Sequence, residues 1–526
     1  MHNPHDDPGL EAPPASGGSA TKPLASGKPG KTRKRRRWRL LLGGGVIYLT
    51  VGVYQSCLKP LPQDLSLEGG IYQVADADVE FLHDVTGMQA GQRVSRQMIF
   101  DRVLRMIQGA EDFVLVDFFL FNEYQGKDPS IHRKLCQEVA NSLLEKKRNH
   151  PDIRMMVITD PLNEAYGGSV PEQFKSLRAA GIPVVLTDLR KLRDSNPIYS
   201  TFWRMFVQWF GTPTAGALPH PLAKDGGGVS MRAWLELLNF KANHRKLIVA
   251  DAAAPAGGRQ MVCMVMSANP HDASSAHGNA ALLVRGGIWK DLLRGEQAVL
   301  AFSGQNIDVF SWLPAYAANG VSDGSMPQGR TAEVRVLSEE KIRKGLLESI
   351  RRVGRGDTID IGMFYLSERS IVNGLVAAAQ RGAAIRVLLD PNRDAFGYQK
   401  NGVPNRPMAA ELVKRGGGMI TIRWANTHGE QFHTKMILLK QDTKAILYAG
   451  SANLTRRNIG DFNLETDVVV SGPRELSAIQ AAEGYFEQLW TNRALDCSEA
   501  YEAQAETSTS KYWLYRFHEW MGTSTF

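Results

Sequence analysis

One feature constrains this chain more than any other: its order of helix and strand patterns is written twice. Ile99 to Phe121 reads as a helix with apolar Phe100, Val103, Leu104 and Ile107, followed by the strand FVLVDFFLF. Ile342 to Leu366 repeats that order, with Ile342, Leu346 and Ile350 on one helical face before the strand TIDIGMFYL. Each copy continues with a helix, a strand ending in Asp-Pro (MMVITDP at 155–161, IRVLLDP at 385–391), a second helix and a further strand (IPVVLTDL and MITIRWA). Strands alternating with helices at these lengths predict an α/β fold made twice. The expectation is two similar lobes, each a mixed sheet flanked by helices, with a site where the lobes meet. The first lobe is expected over 78–310, with an insertion at 190–240, and the second over 330–495. An aromatic tail at 496–526 follows.

Each copy then reaches a histidine, in NHRKLIVAD and FHTKMILLK. His244 and Lys246, and likewise His433 and Lys435, open an apolar strand, where alternation places positions i and i+2 on one face. Ser267, Asn269 and Asn279 follow the first pair; Gly450, Ser451, Asn453, Asn463 and Glu465 follow the second. The Ser-to-Asn spacing is the same in both copies, and the step from Asn269 to Asn279 equals that from Asn453 to Asn463. A lone H-x-K is ordinarily solvated surface. Two in duplicated frames, each trailed by S-x-N, mark two copies of one site element. The residue types suit phosphoryl transfer, because two lysines and two amides can neutralise phosphate oxygens without a metal. One imidazole can attack phosphorus while the other protonates the leaving oxygen and later deprotonates the incoming water or alcohol.

This pattern resembles the phospholipase D superfamily, whose signature is H-x-K-x4-D followed by G-S and G-x-x-N, present twice per active site. The resemblance covers roughly residues 78–495, and the stretch GSANLTRRNIGDFNLE is similar to the second motif of bacterial cardiolipin synthases and related phospholipase D-like proteins. It implies a phosphohistidine intermediate and turnover with neither metal nor cofactor. It transfers roles to His244, Lys246, Asp251, Ser267 and Asn269 from the first copy, and to His433, Lys435, Ser451, Asn453 and Glu465 from the second. It further implies that Glu465 reaches across the lobe interface to His244; on that basis His244 is expected to be the nucleophile and His433 the acid/base, with the reverse assignment left open. Two departures stand out. Lys440 occupies the place of the second motif's aspartate, a change expected to alter local ion pairing more than chemistry. Ala281 falls where the first copy would carry the counterpart of Glu465.

Charge bears on the substrate. Of the formal +8, residues 1–39 supply most, with nine Lys or Arg against Asp6, Asp7 and Glu11, so the body is nearly neutral. That argues against a nucleic-acid partner, which needs a basic groove. The basic leader at 1–37 is rich in Pro, Gly and Ser and is expected to be disordered. Residues 38–58, uncharged from Leu40 to Tyr54, are expected to anchor the chain in a membrane, with the body on the non-cytoplasmic (periplasmic) side. Pro197–Gly211 and Tyr512–Met521 are unusually aromatic and read either as core helices or as helices lying in a membrane interface. The four cysteines show no C-x-x-C spacing and make no zinc site. These features favour a phospholipid substrate, with cleavage and transfer (cardiolipin synthesis included) sharing every catalytic residue. A nuclease of the same superfamily and a catalytically impaired lipid-binding module are the competing readings.

Overall fold

A computed structural model describes residues 31–127, 132–223, 227–255, 257–318, 329–395 and 398–523. Residues 1–30 of the expected leader lie outside them. Beside an edge strand at Gln92–Arg96, the first lobe's sheet holds β1 (Val79–Gln89), β2 (Phe113–Phe118), β3 (Arg154–Thr159), β4 (Val184–Leu186), β5 (Lys246–Ala253), β6 (Arg259–Met266) and β7 (Asn279–Arg285). The second contributes β8 (Thr331–Ser338), β9 (Thr358–Met363), β10 (Ala384–Leu389), β11 (Ile420–Ala425), β12 (Lys435–Lys440), β13 (Lys444–Gly450) and β14 (Thr466–Pro473).

Their order across the first sheet is β1-β7-β6-β5-β2-β3-β4, and across the second β8-β14-β13-β12-β9-β10-β11. The two are the same topology. In each, the three strands joined through helices run parallel and the remainder antiparallel, so both sheets are mixed. Short strands extend the edges, and one of them, Tyr72–Ala75, pairs with β8 of the second lobe although it precedes the first.

Strand alternation fixes the layers. Leu247 and Val249 of β5 and Met436 and Leu438 of β12 share one core, which therefore joins the inner faces of both sheets. Ile248 and Ala250 point instead under the helices of the first lobe, and Ile437 and Leu439 under those of the second. The result is helices, sheet, sheet, helices. The ends of β5 and β12 consequently lie at one shared seam.

Helix Lys31–Val53 belongs in its first part to a separate unit ending at Thr50. Among the described residues, Arg35–Leu58 is the one stretch long and apolar enough to cross a membrane. Within the body, Lys59 Nζ donates to the carbonyl of Arg190 at 2.8 Å, and Asp194 N donates to the carbonyl of Gln55. The aromatic insertion forms helix Pro197–Phe202 and a wider turn, Trp203–Val207. Its residues divide between buried and exposed. Trp203 is buried, and Arg204 pairs with Asp194 at 2.6 Å, whereas Phe202, Phe206, Trp209 and Phe210 face outward. Helix Thr509–Met521 divides likewise, with Tyr515 buried and Trp513, Phe517 and Trp520 exposed.

Candidate functional site

The two histidines stand in the segments leading into β5 and β12, and each segment is laced to the opposite lobe. His244 N donates to Leu464 O, Leu464 N to Ala242 O, and Gly278 N to Gln431 O. These reciprocal bonds form one pair of parallel bridges, Asn243 with Leu464 and Gly278 with Phe432. His244 and His433 both line a cavity of about 400 Å³, together with Asn269 and Asn453. Its polar floor meets a wall of Phe119, Leu120, Tyr166, Phe364 and Tyr365, to which the insertion adds Leu222, Leu237 and Phe240.

Beneath the histidines the two halves match closely. Lys246 Nζ donates to His244 O at 2.6 Å, and Lys435 Nζ to His433 O at 2.8 Å. Phe119 lies 4.8 Å from the His244 ring and 5.1 Å from Lys246 Nζ; Phe364 lies 5.0 Å from both His433 and Lys435 Nζ. Both lysines are buried. Burial pulls the pKa of Lys246 down to about 7 against the opposing pull of Glu465, and burial reinforced by the charge of Lys246 lowers that of Lys435 well below its ordinary value. Burial, then the lysine charges, also hold both imidazoles well below 6.5, so each is neutral at pH 7.

Behind the imidazoles the halves part. His244 Nδ1 meets Glu465 Oε1 at 2.7 Å. The Nδ1–H donating to that carboxylate leaves the Nε2 lone pair facing the cavity. Ser451 Oγ donates to the other oxygen of Glu465 at 2.5 Å, and Asn458 donates to Oε1. Burial raises the Glu465 pKa well above its usual range. His433 Nδ1 instead faces the amide oxygen of Asn279 at 3.3 Å, and Ser267 Oγ donates to that same oxygen at 3.0 Å.

This corrects the reading of Ala281. Strand register pairs Met266 with Ala281 and Gly450 with Asp467, so Ala281 is the counterpart of Asp467. Glu465 corresponds to Asn279, since Ser267 Oγ accepts from Ala280 N just as Ser451 Oγ accepts from Thr466 N. The loop from the serine to the strand is two residues longer in the second copy, which made equal Asn-to-Asn spacings misleading. The true counterpart of Asn463 is His277. Asn463 Oδ1 accepts from Ala242 N, and His277 Nδ1 accepts from Gln431 N.

Asn269 Oδ1 accepts from Leu120 N at 3.1 Å, while the Asn453 side-chain oxygen has no partner among the described residues. Asp251 stands apart from the cavity. It accepts the backbone N–H groups of Asp112 and Phe113 at 3.0 and 2.8 Å and pairs with Arg259. Lys440, at the same position of β12, inverts that charge and pairs with Asp360 at 2.8 Å and Glu483 at 2.7 Å. One brace was not legible in the sequence. Arg245 pairs with Glu296 and, across the lobes, with Glu339, whose Oε1 also accepts from Glu465 N at 3.1 Å. Glu339 takes a φ of 47°, a left-handed conformation unfavourable for a side-chain-bearing residue. The brace ties the side chain of His244's neighbour to the backbone of Glu465.

Comparison with known proteins bears on the fold and on the second lobe. The structure is similar to that of phosphatidylserine synthase from Haemophilus influenzae Rd KW20, with a TM-score of 0.50 and 11% identity, over 87% of this chain and 96% of that one. A phospholipase D family member, Nuc from Salmonella typhimurium, matches 32% of this chain and 97% of its own at 21% identity and a TM-score of 0.25. No curated protein matches. Residues 347–490 match the family described as cardiolipin synthase, PLD-like domain. That match lies within the second lobe, and the first lobe repeats the topology of the second.

Proposed function

We propose that the chain moves the phosphatidyl group of a phospholipid to water or an alcohol through a phosphohistidine on His244. The observation that carries this reading is a single cavity that joins two unequal imidazoles to an apolar wall built partly by the insertion. An anionic phosphodiester entering it would return protons and charge to Lys246 and Lys435, whose pKa values burial depresses despite the opposing pull of nearby carboxylates. The same anion favours the imidazolium form of His433. His244 Nε2 then attacks phosphorus, its Nδ1–H held by Glu465, and the P–O bond to the leaving alcohol breaks as His433 donates its proton. Neutral His433 next takes a proton from water or an acceptor alcohol, whose oxygen displaces His244 and releases product. Asn269 and Asn453 offer amide N–H groups to the phosphoryl oxygens.

The apolar wall suits acyl-glycerol, and the outward aromatics of 202–210 and 513–520 suit the headgroup layer of a bilayer. We further propose that Arg35–Leu58 anchors the chain, with the basic leader cytoplasmic and the body on the opposite, periplasmic side. The test is incubation of the purified protein with phosphatidylglycerol, phosphatidylethanolamine and single-stranded DNA, beside His244→Ala. Lipid turnover dependent on His244 is expected. Unchanged lipid with His244-dependent DNA cleavage would replace the lipid reading with the nuclease one, and no turnover of either would favour a lipid-binding module.

A further inference from the structure

The TRRN stretch after Asn453 holds two adjacent arginines, and their surroundings differ. Arg456 lies over the Phe462 ring, outside the lining of the cavity. Arg457 is 7% exposed and lines the cavity, with its guanidinium 5.4 Å from the centre of the Phe240 ring. Among the described residues, neither its Nε nor its Nη2 has a hydrogen-bond partner. Glu519, whose charge reaches Arg457, is already engaged, accepting from Ser367 Oγ and from the Arg456 backbone, each at 2.7 Å. Burial lowers the Arg457 pKa only to about 10, so the group is a cation at neutral pH.

A buried guanidinium with five donors and no anion is costly, and such groups are kept where a ligand completes them. The phosphodiester has its own cations in Lys246 and Lys435. Arg457 is not among the charges that act most strongly on either of them, but it is among those felt at His244. Beside it on the cavity wall are Tyr365 and Lys400, whose Nζ donates to the Tyr365 hydroxyl at 2.5 Å. This flank of the cavity is therefore electropositive independently of the two H-x-K pairs.

We propose that Arg457 forms a second anion subsite that recognises a further acidic group, phosphate or carboxylate, carried by the headgroup of the substrate. The inference rests on the phospholipid reading above and names the headgroup class within it. Planar, two-pronged donation makes arginine, rather than lysine, suited to that task.

The test uses the His244→Ala protein, so that lipids stay intact, and calorimetric binding of three short-chain lipids. These are dihexanoyl phosphatidylglycerol, its phosphomonoester (phosphatidylglycerol phosphate) and dihexanoyl phosphatidylserine. At least one of the latter two is expected to bind about tenfold tighter than phosphatidylglycerol, as one charge-assisted contact supplies. Which one does so distinguishes a phosphate from a carboxylate. Adding Arg457→Gln should abolish that preference and leave phosphatidylglycerol affinity within about twofold, and Arg457→Lys should restore part of it. A preference that survives Arg457→Gln, equal affinities for all three lipids, or no binding of any would overturn the proposal. An Arg457-dependent preference for a lipid that the unmodified protein does not turn over in a His244-dependent way would uphold the subsite while counting against the phosphatidyl-transfer reading. Thermal melting separates a structural role: Arg457→Met should melt at or above the parent temperature, and a large fall would contradict a ligand-directed cation.

Discussion

The two lobes carry the same strand order and the same H-x-K, phenylalanine and S-x-N placements, yet His244 backs onto a carboxylate and His433 onto an amide. A carboxylate stabilises positive charge on its imidazole and fixes the tautomer; a neutral amide at 3.3 Å does so far less. On the proposed mechanism this difference divides the labour of a duplicated site: the histidine backed by Glu465 is the one suited to carry a phosphoryl group, and the histidine backed by Asn279 the one suited to give up its proton.

The largest effect should come from removing the imidazoles themselves. His244→Ala is expected to lower kcat by at least about a thousandfold, because a lost nucleophile has no substitute. His433→Ala should be partly rescued by substrates with activated leaving groups, which need no protonation; equal rescue of both variants would erase the division of roles.

Replacing the partner is the next largest change. Glu465→Gln should cost about 10- to 100-fold in kcat. It should also move the acidic limb of the pH–rate profile to lower pH, since His244 must be neutral to attack and loses the charge that favours its protonation. Asn279→Asp should have the smaller, opposite effect on the other half. A carboxylate beside His433 raises its pKa, so activity lost on deprotonation of the acid persists to higher pH. An unmoved basic limb would show that His433 does not donate the proton.

Much of this was legible in the sequence, and the reason is register. The order of elements, both H-x-K pairs and both S-x-N pairs sit on strands or at their ends, where hydrogen bonding holds spacing fixed between copies. The carboxylate partner sits beyond a loop that tolerates two extra residues, so linear spacing assigned Ala281 to Glu465 and hid the equivalence of Asn279. Gly450 would also have misled. Its lack of a side chain leaves room for Asp467, whereas Met266 fills the same place opposite Ala281. Arg457 and the Arg245–Glu339 brace were illegible for a different reason. Charge in a sequence says nothing of burial, and both are buried.

The smallest effect on chemistry should come from Lys440→Asp, which restores the aspartate of the first copy. In this lobe it would leave Asp360 with Arg386 and Glu483 with Arg474 as their remaining ion-pair partners and add a third carboxylate. Stability should fall by about 3 kcal/mol or more by denaturant unfolding, while kcat measured well below the melting temperature stays within about twofold. A large loss of kcat would mean that this position acts on the chemistry after all.

The division of roles is tested most directly by trapping the covalent intermediate. Acid quenching during turnover of phospholipid radiolabelled at phosphorus, followed by peptide mapping, should place the label on His244. Label on His433 would contradict the assignment and make the amide-backed histidine the nucleophile.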